Sequence, residues 1–421
     1  MLSLYRSAAW LATPFLRRHL ARRIPLGKEE RGRIDERYGL ASLPRPAGRL
    51  GWLHAASVGE TQSLLTLIGA LCKREANLSL LVTTGTVSAA RLLERQAPPR
   101  TLHQYLPLDR RAWVESFLAH WHPDFALWVE SEFWPNLLAE AARRDIPMAL
   151  VNGRLSARSL GRWRFAGALI HPLLRRFAVV LAQDETQAGR LHALGASAPQ
   201  CLGNLKFAAD PLPVDQTALD AMKGQLAGRE VWLAASTHAG EETIIAAAHR
   251  ELAPRHPRLL TIIVPRHAER APAIAAEFLA EGLRFAQRSR QEKIGENTEI
   301  YLADTMGELG LFYRLAPVAL VAGSYRWQGH NPIEPALLGA AILSGPRVGN
   351  FHEIYQCMQA ANAVTIAAET ELAPAVDRLI ADAERAGMRA RRFAEGERNG
   401  ILEGILTALA PVIQPRPHAR A

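Results

Sequence analysis

With 421 residues, 48% of them hydrophobic and 22% charged, the chain is too long for one small domain and too apolar to be disordered, so two domains are expected. The 50 Lys and Arg against 41 Asp and Glu leave a formal charge of +9, which predicts an anionic partner without choosing between nucleic acid, anionic lipid and a phosphorylated small molecule. Cys72, Cys201 and Cys357 are odd in number and far apart, which argues against a disulfide framework or a thiolate metal site and fits a reducing compartment.

Residues 1–16 are apolar but interrupted by Arg6 and Pro14, and they run into Arg17-Arg18-His19 and Arg22-Arg23. A spanning helix needs about 20 mostly apolar residues, and a cleaved signal carries its charges before the apolar stretch. Neither pattern is met. Leu, Trp and Phe followed by clustered Arg predict instead a membrane-associated helix over residues 1–30, lying in the interface, with a plain docking helix as the alternative.

From Arg49 onward short apolar runs alternate with helical stretches, the rhythm of a parallel sheet flanked by helices. Strands are predicted at 50–55, 78–83, 125–129, 148–152 and 179–182. His54-Ala55-Ala56-Ser57-Val58-Gly59-Glu60 follows the first strand and opens a helix, so Glu60 stands at the carboxyl end of the sheet as the candidate base. Ser57 and Glu60 also have the spacing of a capping box, in which the carboxylate only returns to the cap's own amide, and both readings stand. Trp128-Val129-Glu130-Ser131-Glu132-Phe133-Trp134-Pro135-Asn136 puts Glu130 at another strand end, either to stabilise positive charge on a sugar or as a solvated corner. In Gly203-Asn204-Leu205-Lys206-Phe207, Lys206 closes the domain as a cation for a phosphate or carboxylate, or as an ordinary surface lysine.

The prolines of Asp210-Pro211-Leu212-Pro213-Val214-Asp215 break the pattern and mark a linker, dividing the chain into domains at 31–208 and 209–421. The rhythm then restarts, with strands predicted at 231–235, 260–264, 300–303, 318–322 and 341–343. Ser236-Thr237-His238-Ala239-Gly240-Glu241-Glu242 follows the first of these and offers hydroxyls and amides to an anion, or simply caps a helix. Pro265-Arg266-His267 brings a guanidinium to the same rim, and Met306-Gly307-Glu308-Leu309 lies beyond another strand. In Gly329-His330-Asn331-Pro332-Ile333-Glu334-Pro335-Ala336 a helix is predicted to begin near Asn331, with Pro332 and Glu334 in its first turn, a setting that favours a nucleotide. Two such doubly wound domains are expected to bind ligand in a cleft at the carboxyl ends of their sheets. The chain has no P-loop, zinc spacing, nucleophile elbow, Gly-x-Gly-x-x-Gly fingerprint or nucleic-acid-binding module.

Taken together, HAASVGE at 54–60, WVESEFWPN at 128–136, VNGRLS at 151–156, GNLKF at 203–207, PRH at 265–267, MGEL at 306–309 and GHNPIEPA at 329–336 resemble the 3-deoxy-D-manno-octulosonic acid (Kdo) transferase family, across nearly the whole chain. The resemblance implies an α/β GT-B fold, two Rossmann-like domains facing a central cleft. It implies transfer of Kdo from CMP-Kdo to a lipid A precursor, lipid IVA, at the cytoplasmic side of the inner membrane. Glu60 is then the general base, and Glu130 and Lys206 are transition-state stabilisers. The positions similar to the family's donor site are Pro265, Arg266, Met306, Gly307, Glu308, Asn331, Pro332, Ile333 and Glu334. No metal or cofactor is implied, and the partners are the donor, the lipid acceptor and an anionic membrane surface rather than nucleic acid. A sugar-nucleotide epimerase on the same scaffold and a noncatalytic basic lipid-binding adaptor are the rivals.

Overall fold

The computed structural model describes residues 1–414 apart from Ala227. The chain forms two compact α/β units, residues 1–209 with the end of the last helix, and residues 210–397. Residues 209–215 between them carry neither helix nor strand.

In the first unit seven strands form one sheet: β1 (Leu50–Ala55), β2 (Ser79–Thr84), β3 (Thr101–Tyr105), β4 (Phe125–Val129), β5 (Met148–Gly153), β6 (Phe177–Ala182) and β7 (Gln200–Cys201). Their order is β3-β2-β1-β4-β5-β6-β7, and every pairing is parallel. The chain leaves β1 toward β2 on one side and returns to β4 on the other, so the order reverses beside β1, where open α/β sheets hold their ligands. β1, β2, β4 and β5 are buried along their whole length because helices cover both faces, which is why they read as apolar runs rather than alternating ones. Trp52 of β1 and Trp128 of β4 meet edge to face at 4.7 Å in the core. Gly51 is required there, since a Cβ would come within 2.3 Å of the Phe125 ring.

The second unit repeats the plan with β8 (Glu230–Thr237), β9 (Leu259–Pro265), β10 (Phe285–Gln287), β11 (Ile300–Leu302), β12 (Val318–Val321), β13 (Ala341–Ser344) and β14 (Thr365–Ile366). The order is β10-β11-β9-β8-β12-β13-β14, again parallel, and β8 holds the place that β1 holds in the first sheet. All ten strands expected from the sequence are present.

Three expectations need correction. The segment 1–30 is not one helix but two, Leu2–Leu11 and Thr13–Arg23, because Pro14 near the start of the second has no N–H to continue the first. Tyr5 donates to Asp109 at 2.8 Å and Arg6 to Glu140 at 2.8 Å, which fastens the first helix to its unit. The second domain does not extend to the end of the chain. The helix Ala383–Ile413 begins in the second unit, but from Arg398 it packs with the first, where Ile401, Ile405, Leu409 and Val412 are buried and Arg74 bonds Glu403 at 2.6 Å. Finally, the helix near Asn331 is Ile333–Leu337, only five residues, with Pro332 as its cap, so its dipole is small.

Candidate functional site

At the end of β1 the chain turns at Ala56 into the helix Val58–Arg74, and Ser57 accepts the Glu60 amide at 3.4 Å. Glu60 answers by accepting the Ala56 N–H at 2.7 Å and the Ser57 hydroxyl at 2.8 Å. A cap is therefore formed, but the carboxylate returns to the amide of Ala56, one residue before the cap, and not to that of Ser57 as a capping box requires. These bonds do not use up the carboxylate, which stays half-buried with its proton affinity raised. Burial is the main cause, the bonds from Ser57 and Ala56 oppose it, and the charges of Glu130 and Glu132 add to it.

Two strand ends of the first unit are strained. Glu130, just after β4, has φ +59° and Asn152, in β5, has φ +56°, left-handed conformations that cost a side chain about 1–2 kcal/mol each. The turn at Glu130 aims its carboxylate at the ammonium of Lys206, 3.0 Å away, and Gln183 donates from 3.5 Å. Asn152 in turn accepts the Leu205 amide at 2.9 Å, and Asn204 accepts that of Lys206 at 3.0 Å, so the 3₁₀ turn Leu205–Ala208 that carries Lys206 is held by two asparagines. Glu132 accepts Trp134 Nε1–H at 2.9 Å and faces the buried His54 ring at 4.0 Å. Its burial works to raise it, but His54 and Trp134 prevail and hold it below the usual carboxylate range. Thus of the three acids Glu60 binds a proton more readily than an ordinary glutamate and Glu132 less so, which separates their roles. A cavity of about 200 Å³ is lined by His54, Ala56, Glu132 and Trp134 and reaches His19 and Arg23 of the N-terminal helix pair.

The second unit builds a cationic rim. Ser236, at φ +63°, turns the end of β8 outward. His238 follows, with its Nε2 3.1 Å from that of His330 and its ring stacked on the exposed Trp327 at 5.6 Å. Arg266 leaves β9 exposed to solvent, with its amide on Thr237 at 3.0 Å. Its charge lowers the proton affinity of His330, for which burial is the larger cause, to a pKa of about 4. The same charge tempers the rise that burial imposes on Glu334. Glu334 accepts Asn331 Nδ2 at 3.3 Å, while Asn331 Oδ1 accepts the Ile333 amide at 3.0 Å. Arg266, Asn331 and Glu334 are therefore brought together, with His238 and His330 beside them. Pro265 and Ile333 are buried, so only their main chain can meet a ligand.

Met306, Gly307 and Glu308 lie beyond the end of β11. Met306 is exposed, and Gly307, at φ +88°, has open space where a Cβ would be. Glu308 is held by Arg288 at 2.6 and 3.1 Å, and with Gly307 it lines a cavity of about 320 Å³ beside Pro213 and Asp215. The Arg288 pair and Gln183 carry no sequence signal, because each is set by contacts between residues 20 and 53 positions apart.

Residues 32–209 match the family described as 3-deoxy-D-manno-octulosonic-acid transferase (kdotransferase). The chain is 33% identical over 398 residues to the 3-deoxy-D-manno-octulosonic acid transferase of Haemophilus influenzae, with 91% of this chain and 92% of that protein covered. A glycosyltransferase structure from Rickettsia africae superposes with a TM-score of 0.59 at 9% identity, over 88% of this chain and 100% of that one. The UDP-GlcNAc 2-epimerase of Neisseria meningitidis superposes with 0.60 at 14% identity, over 86% of this chain and 100% of that one. Likeness at such low identity shows the fold alone, that of the GT-B class with its two Rossmann-like units.

Proposed function

Because the chain belongs to the 3-deoxy-D-manno-octulosonic acid transferase family and is a glycosyltransferase, we propose that it moves Kdo from CMP-Kdo to a hydroxyl of the lipid A precursor lipid IVA, with Glu60 as the general base. The observation that carries this reading is the raised proton affinity of Glu60 beside the ion pair of Glu130 and Lys206. In the proposed step the acceptor O–H gives its proton to Glu60 and its oxygen bonds the anomeric carbon of Kdo. The bond from that carbon to the phosphate breaks, and CMP leaves with the electron pair. Glu130 stabilises the positive charge that develops on the sugar, and Lys206 meets its carboxylate. In the second unit Arg266 binds the phosphate, a role suited to a planar guanidinium. Asn331 and Glu334 contact the nucleoside, the main chain of Pro265, Pro332 and Ile333 shapes their surroundings, and Met306, Gly307 and Glu308 complete the donor site.

We propose the cytoplasmic side of the inner membrane as the place of the reaction. Among the described residues no helix is long and apolar enough to cross a membrane. Support comes from Leu4, Trp10, Leu11 and Phe15, each at least 63% exposed on helices that continue into Arg17, Arg18, Arg22 and Arg23. Apolar side chains sink into the head-group boundary while the arginines meet anionic lipid.

The test incubates freshly generated CMP-Kdo and tetraacylated lipid A precursor with wild type and with Glu60→Gln, following the lipid by mass. Kdo increments with wild type and their loss in a folded variant support the proposal. Intact donor and unchanged lipid with wild type would discard it. Turnover of the sugar nucleotide without lipid would point to an epimerase, and binding without turnover to an adaptor.

A further inference from the structure

His238 and His330 meet Nε2 to Nε2 at 3.1 Å, with their ring planes 16° apart. A contact of this kind needs one nitrogen to donate and the other to accept. One ring can be an imidazolium in such a contact, but two cannot, because two N–H groups would then point at each other. The fold makes room for the pair at Gly323, whose φ of +71° suits glycine and whose Cβ would come within 2.7 Å of the His330 ring and 3.1 Å of that of His238. On its other side His238 stacks against Trp327, with 7° between the planes. The site is built around these two rings, and nothing in the transfer step above employs them.

Two guanidiniums, a third imidazole and a carboxylate face the pair. Arg266 and His267 come from the end of β9, and Arg270 from the 3₁₀ turn Ala268–Arg270 that follows. Against them stands Glu241, from the helix Glu241–Leu252, whose carboxylate is occupied by the amides of His238, Gly323 and Tyr325 at 2.9, 2.7 and 2.9 Å. Glu334 lies within the field of Arg266, and the Tyr355 hydroxyl bonds the His330 carbonyl at 3.3 Å. Burial, with the guanidiniums of Arg270 and Arg266, lowers the proton affinity of His238, and burial with Arg266 lowers that of His330 to a pKa of about 4. An anion that settles against Arg266 offsets that field.

We infer that His238 and His330 are a further donor-binding element, a proton-sharing imidazole pair that takes up one proton when a phosphate monoanion binds beside Arg266. The inference rests on the proposal that the second unit holds the nucleotide phosphate. The proton comes from solvent and goes to the ring that donates across the contact, so the pair gains a single positive charge and keeps its hydrogen bond. The linkage has a definite sign. Binding raises the proton affinity of the pair, so affinity rises as pH falls toward the free-state value, by up to about tenfold per pH unit inside the window.

The experiment uses the methyl ester of CMP, whose one phosphate charge does not titrate near neutrality, so a proton taken up goes to the protein or to the cytosine ring, and its loss in the histidine variants assigns it to the pair. Calorimetry at about pH 5.5 in two buffers of different ionisation enthalpy counts those protons, and a pH series gives the affinity slope. Wild type is expected to bind with uptake of a large fraction of one proton. His238→Asn and His330→Asn are expected to bind about tenfold more weakly with no uptake. Binding by wild type without uptake overturns the inference and leaves the donor assignment standing, as does uptake that survives in both variants. Failure of wild type to bind the ester at all overturns the donor assignment and this inference with it. The wild-type measurement stands whether or not either variant folds.

Discussion

Glu60 and Glu241 occupy matching places, each in the first turn of the helix that follows the leading strand of its sheet, β1 in one unit and β8 in the other. Glu60 accepts one backbone amide and one hydroxyl and stays half-buried among other acids. Glu241 is fully buried and accepts three backbone amides, two of them from the loop after β12. The same residue type at the same topological point is thus a partly accessible acid, the base of the proposed step, in one unit and a structural clamp in the other. What separates them is the number of donors and the access to solvent. The surroundings diverge likewise: Glu130 and Glu132 beside Glu60 suit a base and a cationic transition state, whereas Arg266, His238 and His330 near Glu241 suit an anion.

The sharpest way to break this contrast is Glu60→Gln. A glutamine keeps an oxygen to accept the Ala56 amide, and its NH2 can donate to the Ser57 hydroxyl that the carboxylate accepted from, so the turn keeps its two side-chain contacts while the proton acceptor is lost. Transfer is expected to fall about 10³-fold with stability unchanged within about 0.5 kcal/mol, read by single-turnover kinetics and a urea titration. A variant that loses stability and keeps its rate would make Glu60 a cap and nothing more. Glu241→Ala should do the reverse. Three buried amides lose their acceptor at once, and destabilisation of about 3 kcal/mol is expected, measured as a lower urea midpoint. An unchanged midpoint would show that the clamp contributes little.

A smaller effect concerns Glu130 and Lys206. If they act as one unit, Glu130→Gln and Lys206→Met each slow transfer, and the double variant is little slower than the worse single one, a coupling of about 1.5 kcal/mol. Additive losses would mean that the two groups act independently on the substrate.

Interior strands such as β4 and β12 were legible in the sequence because each is buried along its whole length and so reads as an unbroken apolar run. The four strands it did not reveal, β3, β7, β10 and β14, are the edges of the two sheets. An edge strand pairs on one side only, and Thr101-Leu102-His103-Gln104-Tyr105 is half-exposed over its first three residues, so its pattern resembles a loop. At the site, spacing located Glu60, Glu130 and Lys206 at strand or domain ends but did not show that Glu130 and Lys206 touch. That contact depends on a left-handed turn at a glutamate and on Asn152 reaching Leu205, 53 residues away. The division at residue 398 was equally hidden, since one continuous helix serves both units and its sequence has no break there.

The smallest effect tests whether the charge near Glu60 matters through space. As a base Glu60 must be ionised, so kcat/KM should fall as pH drops through its raised pKa. Glu132 contributes to that rise, and because His54 and Trp134 hold its own proton affinity low, it stays charged across the whole descent. Glu132→Gln removes the charge while keeping an oxygen for the Trp134 N–H. Glu60 then gives up its proton more easily, and the acid limb of kcat/KM should move to lower pH by a few tenths of a unit, roughly 0.5 kcal/mol. A limb that stays in place or moves upward would mean that the titrating group is not Glu60, or that Glu132 does not act on it.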